Sequence, residues 1–170
     1  MLYYLLSAIL LVGIINFANL TDGIDGLASS VAFAIGVSLL FISAALNPEV
    51  ALSGAMIIGA TLGFLIFNIH PAKIFMGDTG SLFLGAMIAS SGFMLNSPLT
   101  VIPISIVYVI EGASVILQVL SYKLFKKRIF KMSPIHHHLE KCGWTENRIC
   151  IVGILITFLF SISAYVFYIP

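Results

Sequence analysis

Two asparagines and two aspartates crowd the stretch NFANLTDGIDGL, which covers residues 16–27. Asn16 and Asn19 are one helical turn apart at the end of an apolar segment, and Asp22 and Asp25 each precede a glycine. Glycine lets the backbone turn sharply and approach a ligand closely. Carboxylates hold hard cations, and the N-terminus of the helix expected next can hold phosphate oxygens. The stretch therefore predicts a metal–phosphate site, with an ordinary aspartate helix cap as the alternative.

The stretch FNIHPAKIFMGDTGSLFLG, residues 67–85, repeats this layout. Asp78 lies among glycines and hydroxyl side chains just before another apolar segment. Phe75 is an aromatic ring in a loop, where it could stack on a base or else anchor the loop in the membrane interface. Because magnesium typically takes one or two carboxylates together with substrate phosphates, the two aspartate loops could share one such ion.

Three adjacent histidines, His136, His137 and His138, occur in the stretch PIHHHLE. Successive side chains point about 100° apart on a helix and to opposite faces on a strand, so three neighbours cannot easily bind one ion. Their imidazoles can instead donate hydrogen bonds to phosphates or transfer protons. A surface cluster without function is the alternative.

Glu111 lies within an apolar segment, and Ser114, Gln118 and Ser121 continue its stripe at helical spacing. A carboxylate within a membrane is costly and indicates function by default. Two interpretations stay open, a buried hydrogen-bonding strip between helices and the lining of a substrate groove. A channel or transporter subunit with Glu111 in its pathway is a third, but polar residues in the other spans would be expected too.

The elements that must position these residues are membrane helices. Of the 170 residues, 60% are hydrophobic and 9% are charged, against about 25% charged in soluble domains. The fold class expected is an all-α, polytopic transmembrane bundle that forms a single domain over residues 1–170. The net charge of +1 predicts no nucleic-acid partner. The predicted spans are Met1–Leu20, Leu27–Leu46, Val50–Phe67, Leu82–Leu95, Leu99–Tyr122 and Ile149–Pro170.

The basic residues predict the orientation of these spans. All eight lysines and arginines fall in the first, third and fifth loops, together with all four histidines and five of the seven acidic residues. By the positive-inside rule that side is cytoplasmic. The candidate chemistry is therefore expected at the cytoplasmic face, with both termini outside.

Three motifs, NLTDGIDGLA, FMGDTGSLFLG and MSPIHHHLEKCGW, carry a resemblance that extends over residues 16–148. In this order they resemble the phospho-N-acetylmuramoyl-pentapeptide-transferase family of the polyprenyl-phosphate N-acetylhexosamine-1-phosphate transferase superfamily. The resemblance implies an enzyme of the bacterial cytoplasmic membrane that forms lipid I and UMP from UDP-MurNAc-pentapeptide and undecaprenyl phosphate, with Mg2+ as cofactor. It implies a role in peptidoglycan synthesis and allows a homodimer.

The resemblance also implies roles for single residues. Asp22 would be the active-site carboxylate, as base or as nucleophile, and Asp78 the magnesium ligand. The three histidines would act at the substrate phosphate or sugar, and Phe75 would stack on the uracil. The remaining substrate contacts implied are Asn19, Asp25, Asn68 and Gln118.

Members of this family have about ten spans and an early loop with an Asp-Asp pair, which this sequence lacks. The chain is therefore expected to correspond to the C-terminal six spans. Two alternatives remain, a related transferase that uses UDP-GlcNAc, and a catalytically incomplete fragment. The spacing of the histidine run favours the muramoyl branch over the UDP-GlcNAc branch.

Overall fold

Helices joined by short loops make up the part of the chain that the computed structural model describes, residues 1–44 and 47–168. No β-strand occurs in this part. The helices are α1 (Leu2–Thr21), α2 (Leu27–Ser43), α3 (Pro48–Asn68), α4 (Gly77–Met94), α5 (Val101–Ile104), α6 (Ile106–Phe125), α7 (Ile135–Lys141) and α8 (Glu146–Tyr168), with a 3₁₀ turn at Pro98–Thr100 before α5. The predicted all-α class is confirmed.

Four helices are long and apolar enough to cross a membrane, namely α1, α3, α6 and residues Glu146–Val166 of α8. Helix α2 is equally apolar but has 17 residues in its described part, and the predicted end of its span at Leu46 lies outside the described residues. The surface of α1 shows why lipid is its natural neighbour, because bulky apolar side chains such as Tyr4, Leu5 and Ile9 are more than half exposed. The predicted number of six spans stays a prediction.

The segment of the predicted span Leu99–Tyr122 is not one continuous helix. A 3₁₀ turn and the short helix α5 come first, and α6 begins only after Ser105, whose φ and ψ of −106° and 28° are not helical. Pro98 begins the 3₁₀ turn, and Pro103, two residues before Ser105, has no N–H to donate to the carbonyl four residues earlier.

The helix that carries the predicted fourth span begins before Leu82. Helix α4 begins at Gly77, so Asp78 lies in the first helical turn rather than in a preceding loop. An acidic side chain there is favoured, because the helix N-terminus carries partial positive charge. Helix α3, in contrast, begins at the expected turn, where Pro48 is the first residue and the Asn47 side chain accepts a hydrogen bond from the Val50 amide.

Helix α2 forms the centre of the bundle, with α3 and α8 packed against it. Its residues Val31, Ala32 and Ile35 are fully buried. Glycine allows the close approach of α3, because a Cβ on Gly54 would lie 2.8 Å from the carbonyl oxygen of Gly36. Helix α1 packs against α4 and α6 on another side.

The ends of several helices meet at one end of the bundle. Asn19 near the end of α1 hydrogen-bonds to Asp78 at the start of α4, and Asp25 before α2 contacts both His70 after α3 and Glu146 at the start of α8. The first, third and fifth loops therefore lie together, as their position in the sequence predicts. Their placement on the cytoplasmic face stays a prediction.

Candidate functional site

The first aspartate loop joins α1 directly to α2. Helix α1 ends at Thr21, and the Asp22 amide donates a hydrogen bond to the Asn19 carbonyl oxygen, as is common at a helix end. Gly26 has a φ of 77°, a left-handed conformation that glycine adopts at no steric cost, and α2 begins at the next residue. The tight turn leaves Asp22 and Asp25 at the mouth of the bundle, each half-buried.

Asp22 and Asp78 form a pair of neighbouring carboxylates. Burial raises the pKa of Asp22 from its ordinary 3.8 to about 6, a hydrogen bond from the Gly77 backbone opposes this rise, and the negative charge of Asp78 adds to it. The side-chain amide of Asn19 donates to Asp78 Oδ1 at 2.9 Å and to Ser81 Oγ at 3.0 Å. Asn19 thus fixes the position of Asp78 relative to α1.

A cavity of about 200 Å³ opens beside this pair. It brings together residues from the first loop, the end of α3 and the segment before α4. Four of the predicted site residues are among those that line it: Asp22, Gly23, Ile24, Asp25, Asn68, Phe75 and Gly77. The two glycine-rich aspartate loops therefore build one site, as the repeated layout in the sequence suggests.

Phe75 and Asn68 contribute to this cavity in different ways. The Phe75 ring is 75% exposed, so its face is free for an aromatic ligand. Asn68 is buried, and its amide accepts a hydrogen bond from Ser29 Oγ at 2.8 Å and donates one to the Ile74 carbonyl at 2.9 Å. Asn68 therefore holds the segment that carries Phe75.

The histidine run forms helix α7, and its three rings have separate partners. His136 is fully buried, with Nδ1 at 3.0 Å from Glu111 Oε2. His137 Nδ1 lies 2.6 Å from Glu140 Oε2, and His138 accepts a hydrogen bond from the Lys131 amide. The expectation that adjacent histidines do not share an ion agrees with this geometry.

His136 reaches the first aspartate loop through Gly23. A Cβ on Gly23 would collide with Nε2 of His136, and His137 Nε2 lies 3.5 Å from the same point. Within the described part of the chain, His136 Nε2 is buried without a hydrogen-bond partner. His136 and His137 therefore lie behind and beside the aspartate loop, whereas the ring nitrogens of His138 face Lys131 and Cys142.

Glu111 is 3% exposed and accepts hydrogen bonds from both the ring and the backbone amide of His136. Of the two interpretations left open by the sequence, this geometry supports the buried hydrogen-bonding strip. Neither the pairing with His136 nor the close approach of His136 to Gly23 was predicted, since both depend on how the chain returns after α6.

Gln118 holds the loop that follows α6. Its Oε1 accepts hydrogen bonds from the amides of Ile129 and Phe130, and its Nε2 donates to the Phe130 carbonyl, each at 3.0 Å. The side-chain amide is thus engaged by the protein. Its predicted contact with substrate stays a prediction.

Sequence reasoning also missed His70 and Glu146, which meet Asp25 at the edge of the cavity. His70 Nδ1 lies 3.0 Å from Asp25 Oδ2 and 3.1 Å from Glu146 Oε1. One signal was available, since His70 follows Asn68 closely in a stretch already singled out for Asp78. Glu146 had no comparable signal, because nothing in its neighbourhood indicates a contact with residue 25.

The residues present fit a magnesium ion. Hard cations prefer oxygen ligands, and Mg2+ commonly combines one or two carboxylates with phosphate oxygens. Two carboxylates close enough for one to raise the pKa of the other create the local negative charge that such an ion would offset. Asp22 and Asp78 are the residues that would hold it.

The match to a family model defines the class of protein to which this helical bundle and its carboxylate site belong. Residues 1–96 match the family model described as glycosyl transferase family 4. Because this match covers more than half of the 170 residues, the chain belongs to glycosyl transferase family 4.

Curated relatives named phospho-N-acetylmuramoyl-pentapeptide-transferase extend the likeness beyond residue 96. The protein from Caldicellulosiruptor bescii is 46% identical over 163 residues, which cover 95% of this chain and 51% of the relative. The one from Halalkalibacterium halodurans is 49% identical over 163 residues, covering 95% and 50%. One from Clostridium perfringens is 50% identical over 154 residues, covering 90% and 49%.

The chain thus spans about half the length of the curated relatives it matches. Its assignment to their C-terminal part stays a prediction. Together with the four membrane-capable helices, these relatives indicate an integral membrane protein.

Proposed function

We propose that this chain forms part of an enzyme that transfers phospho-MurNAc-pentapeptide from UDP-MurNAc-pentapeptide to undecaprenyl phosphate, giving lipid I and UMP. The observation that carries the proposal is the cavity in which Asp22, Asp25 and Phe75 meet. Aspartate oxygens and an exposed ring are suited to a diphosphate with its metal ion and to a uracil, respectively. The name of the relatives supplies the transferred group, phospho-N-acetylmuramoyl-pentapeptide, and the family resemblance implies the UDP-linked donor and the undecaprenyl phosphate acceptor.

The proposed chemistry is phosphoryl transfer, in which the phosphate of the lipid carrier attacks the β-phosphate of the nucleotide and UMP leaves. Catalysis of this reaction depends mainly on positioning and on neutralising charge. Phe75 would orient the uracil, and the tight turn at Asp22 would present its carboxylate to the reacting phosphates. With a pKa of about 6, Asp22 is largely ionised at neutral pH and could take a proton or act as nucleophile.

Asp22 and Asp78 would hold Mg2+, which when bound would offset the charge on the phosphates. Asn19 keeps Asp78 in place, because it ties the carboxylate to Ser81 and to α1. His137 is the histidine suited to a direct contact, since its ring is partly exposed and lies close to Gly23. His136 would act from behind the loop as a positioning residue.

The proposed location is the bacterial cytoplasmic membrane, with the site at the cytoplasmic face. The support is the charge distribution, because all eight lysines and arginines lie in the loops at this end of the bundle or in the helix ends that adjoin them.

Binding and turnover of the detergent-solubilised protein test the proposal. UDP-MurNAc-pentapeptide should bind in the presence of Mg2+, and Asp78→Asn should weaken this binding. UMP release on addition of undecaprenyl phosphate would show the complete reaction. Nucleotide binding without UMP release would support the alternative that the chain is catalytically incomplete, because the reaction would then need groups that this sequence lacks.

A substrate exchange separates the muramoyl assignment from its runner-up. UDP-GlcNAc carries the same nucleotide and diphosphate but lacks the lactyl-peptide arm. If UDP-GlcNAc binds tightly and the lactyl-peptide arm of UDP-MurNAc-pentapeptide adds no affinity, the related GlcNAc-1-phosphate transferase would be favoured. Absence of Mg2+-dependent binding for both nucleotides would contradict the proposed function as a whole.

A further inference from the structure

Three side chains from distant parts of the sequence direct ligand atoms to one point beside the candidate cavity. They are Asp25 before α2, His70 after α3 and Glu146 at the start of α8. Their ligand atoms all lie within 4.8 Å of one another, and His70 Nδ1 is 3.0 Å and 3.1 Å from the two carboxylate oxygens. Within the described residues this is a group of the type and spacing that binds metal ions.

The hydrogen bonds around the group hold both carboxylates in this arrangement. Asp25 Oδ2 accepts a hydrogen bond from the Ala72 amide at 2.9 Å. Glu146 Oε2 accepts one from the Asp25 amide at 2.7 Å, which directs the other oxygen, Oε1, toward His70. Such supporting bonds orient the ligands in metal sites. The two carboxylate ligands are thus preorganised by backbone amides, and His70 Nδ1 lies between them.

His70 alone cannot satisfy both carboxylates. Nδ1 carries at most one hydrogen, yet two carboxylate oxygens lie at hydrogen-bonding distance from it. Even with a protonated imidazole the three groups sum to one negative charge. A divalent cation in place of that single proton would bind all three ligands at once and leave the group with no net charge.

We propose that Asp25, His70 and Glu146 form a binding site for a transition-metal dication of the Zn2+ type, separate from the magnesium site expected at Asp22 and Asp78. Imidazole with carboxylates suits Zn2+, whereas Mg2+ prefers oxygen ligands alone. Tetrahedral ligands at the usual zinc distances lie about 3.4 Å apart, close to the separations found here. His70 is half-exposed, so the ion and a water ligand can reach the site from solvent.

The site would link three segments that surround the cavity. A bound ion would join the first aspartate loop, the segment after α3 and the start of α8 through bonds stronger than the present hydrogen bonds. Because Asp25 also lines the cavity, the ion would fix one wall of it. The inference does not depend on the proposed reaction, since it concerns metal binding by the free protein.

Metal binding to the detergent-solubilised protein tests the inference. Zn2+ bound per chain is measured by equilibrium dialysis, and Co2+ serves as a spectroscopic probe of the ligands. His70→Asn and Glu146→Gln should each remove one bound Zn2+ or weaken its binding by at least about tenfold. In the wild-type protein the Co2+ spectrum of this site should lack a thiolate charge-transfer band, because no cysteine is a ligand.

Two control variants separate this site from others on the chain. Asp78→Asn alters the expected magnesium site and should leave the Zn2+ stoichiometry unchanged. His138→Asn removes the ring whose Nε2 lies 3.7 Å from Cys142 Sγ, a second pair that could attract Zn2+. It should also leave the proposed site intact.

Folding of each variant is checked by helical circular dichroism and by its thermal unfolding with and without Zn2+. The wild-type unfolding temperature should rise on addition of Zn2+, and that of His70→Asn should not. Equal Zn2+ stoichiometry and equal thermal response in wild type, His70→Asn and Glu146→Gln would overturn the inference. Loss of the ion only in His138→Asn would also overturn it, since it would assign the ion to the His138–Cys142 pair.

Discussion

Glu111 Oε2 lies 3.0 Å from Nδ1 of His136, and both side chains are buried between α6 and α7. The same carboxylate oxygen accepts a hydrogen bond from the His136 backbone amide. A single acidic residue within the bundle thus anchors the histidine that presses against the first aspartate loop. This anchor places His136 with little freedom to move away from Gly23.

Replacing Glu111 with alanine should therefore destabilise the protein. Two buried N–H groups of His136 would lose their acceptor, and leaving buried donors unpaired costs roughly 1–3 kcal/mol each. We expect a loss of about 2–5 kcal/mol in the free energy of unfolding, measured by denaturation in detergent micelles. Glu49→Ala is the matched control, because Glu49 is exposed at the start of α3 and should cost less than about 1 kcal/mol. Equal losses for the two variants would contradict the anchoring role.

Replacing Gly23 with alanine adds a single methyl group, and we expect this small change to disturb the site. The added methyl group would collide with Nε2 of His136, which Glu111 prevents from retreating. Overpacking of this kind costs about 1–3 kcal/mol, and here it would also displace the Asp22 loop. We expect weaker Mg2+-dependent nucleotide binding, measured by calorimetry.

Gly59→Ala provides the control for this substitution. A Cβ on Gly59 meets no atom within 4 Å, and alanine is favoured over glycine in a helix by roughly 0.5–1 kcal/mol. Binding by Gly59→Ala should match the wild type. Unchanged binding by Gly23→Ala would show that the loop tolerates the shift.

The aspartate loops illustrate what the sequence could reveal. Asp22, Asp25 and Asp78 stand beside glycines at the edges of apolar segments, a local pattern that indicates turns and exposed carboxylates. Every second loop lies on the same side of the membrane. The meeting of the two aspartate loops, the first and the third, therefore follows from the order of the spans. Phe75 stands out in the same way, as an aromatic ring in a loop, and its stacking on uracil stays a prediction.

The contacts of Glu111 and Asp25 could not be read in this way. The stripe of Glu111 on α6 predicts a buried face, but its pairing with His136 depends on the path of the chain through residues 126–134. The contact of Asp25 with Glu146 spans 121 residues and depends on how α8 packs against α2. Such long-range pairs are set by packing, which has no periodic signal in a single sequence.

Asp22 should make the stability of the protein depend on pH between about 4 and 6. Its folded-state pKa of about 6 lies above the ordinary 3.8, so the folded protein binds the proton more tightly than the unfolded chain does. The stabilising contribution is therefore complete below pH 3.8 and disappears as the pH rises through 6. In a solution free of divalent cations, the unfolding temperature of Asp22→Asn should vary less than the wild type's over this range.

The Asp78→Asn variant supplies the control for this pH dependence. It removes the negative charge that adds to the raised pKa of Asp22 and leaves burial, the larger cause, in place. The upper limit of the pH window should therefore move below 6 while the lower limit stays near the ordinary pKa of 3.8, so the window narrows without vanishing. Identical pH profiles for wild type and Asp22→Asn would refute the assignment of this titration to Asp22.

Gln118→Leu should release the loop after α6. The Phe130 amide would lose its acceptor, and a hydrogen bond of this kind contributes about 0.5–1.5 kcal/mol. Its hydrogen exchange should accelerate by roughly two- to tenfold, measured by mass spectrometry on the peptide that contains it. Gln118→Glu keeps the accepting oxygen and should retain most of the protection. If Gln118 were primarily a substrate contact, both variants would weaken substrate binding while exchange stayed unchanged.

Phe75→Ala should weaken the binding of uridine nucleotides specifically. Stacking of a base on an aromatic ring contributes about 1–3 kcal/mol, so the dissociation constant of UMP should rise roughly 5- to 150-fold. Phe41→Ala is the matched control, because Phe41 is 74% exposed, as Phe75 is 75%, and lies on α2 far from the cavity along the chain. Its removal should leave UMP binding unchanged, since exposure alone gives a ring no contact with the nucleotide. Ribose 5-phosphate, which has no base, should bind equally well to both variants, and a loss of its binding in Phe75→Ala would assign the ring to the loop structure rather than to the uracil.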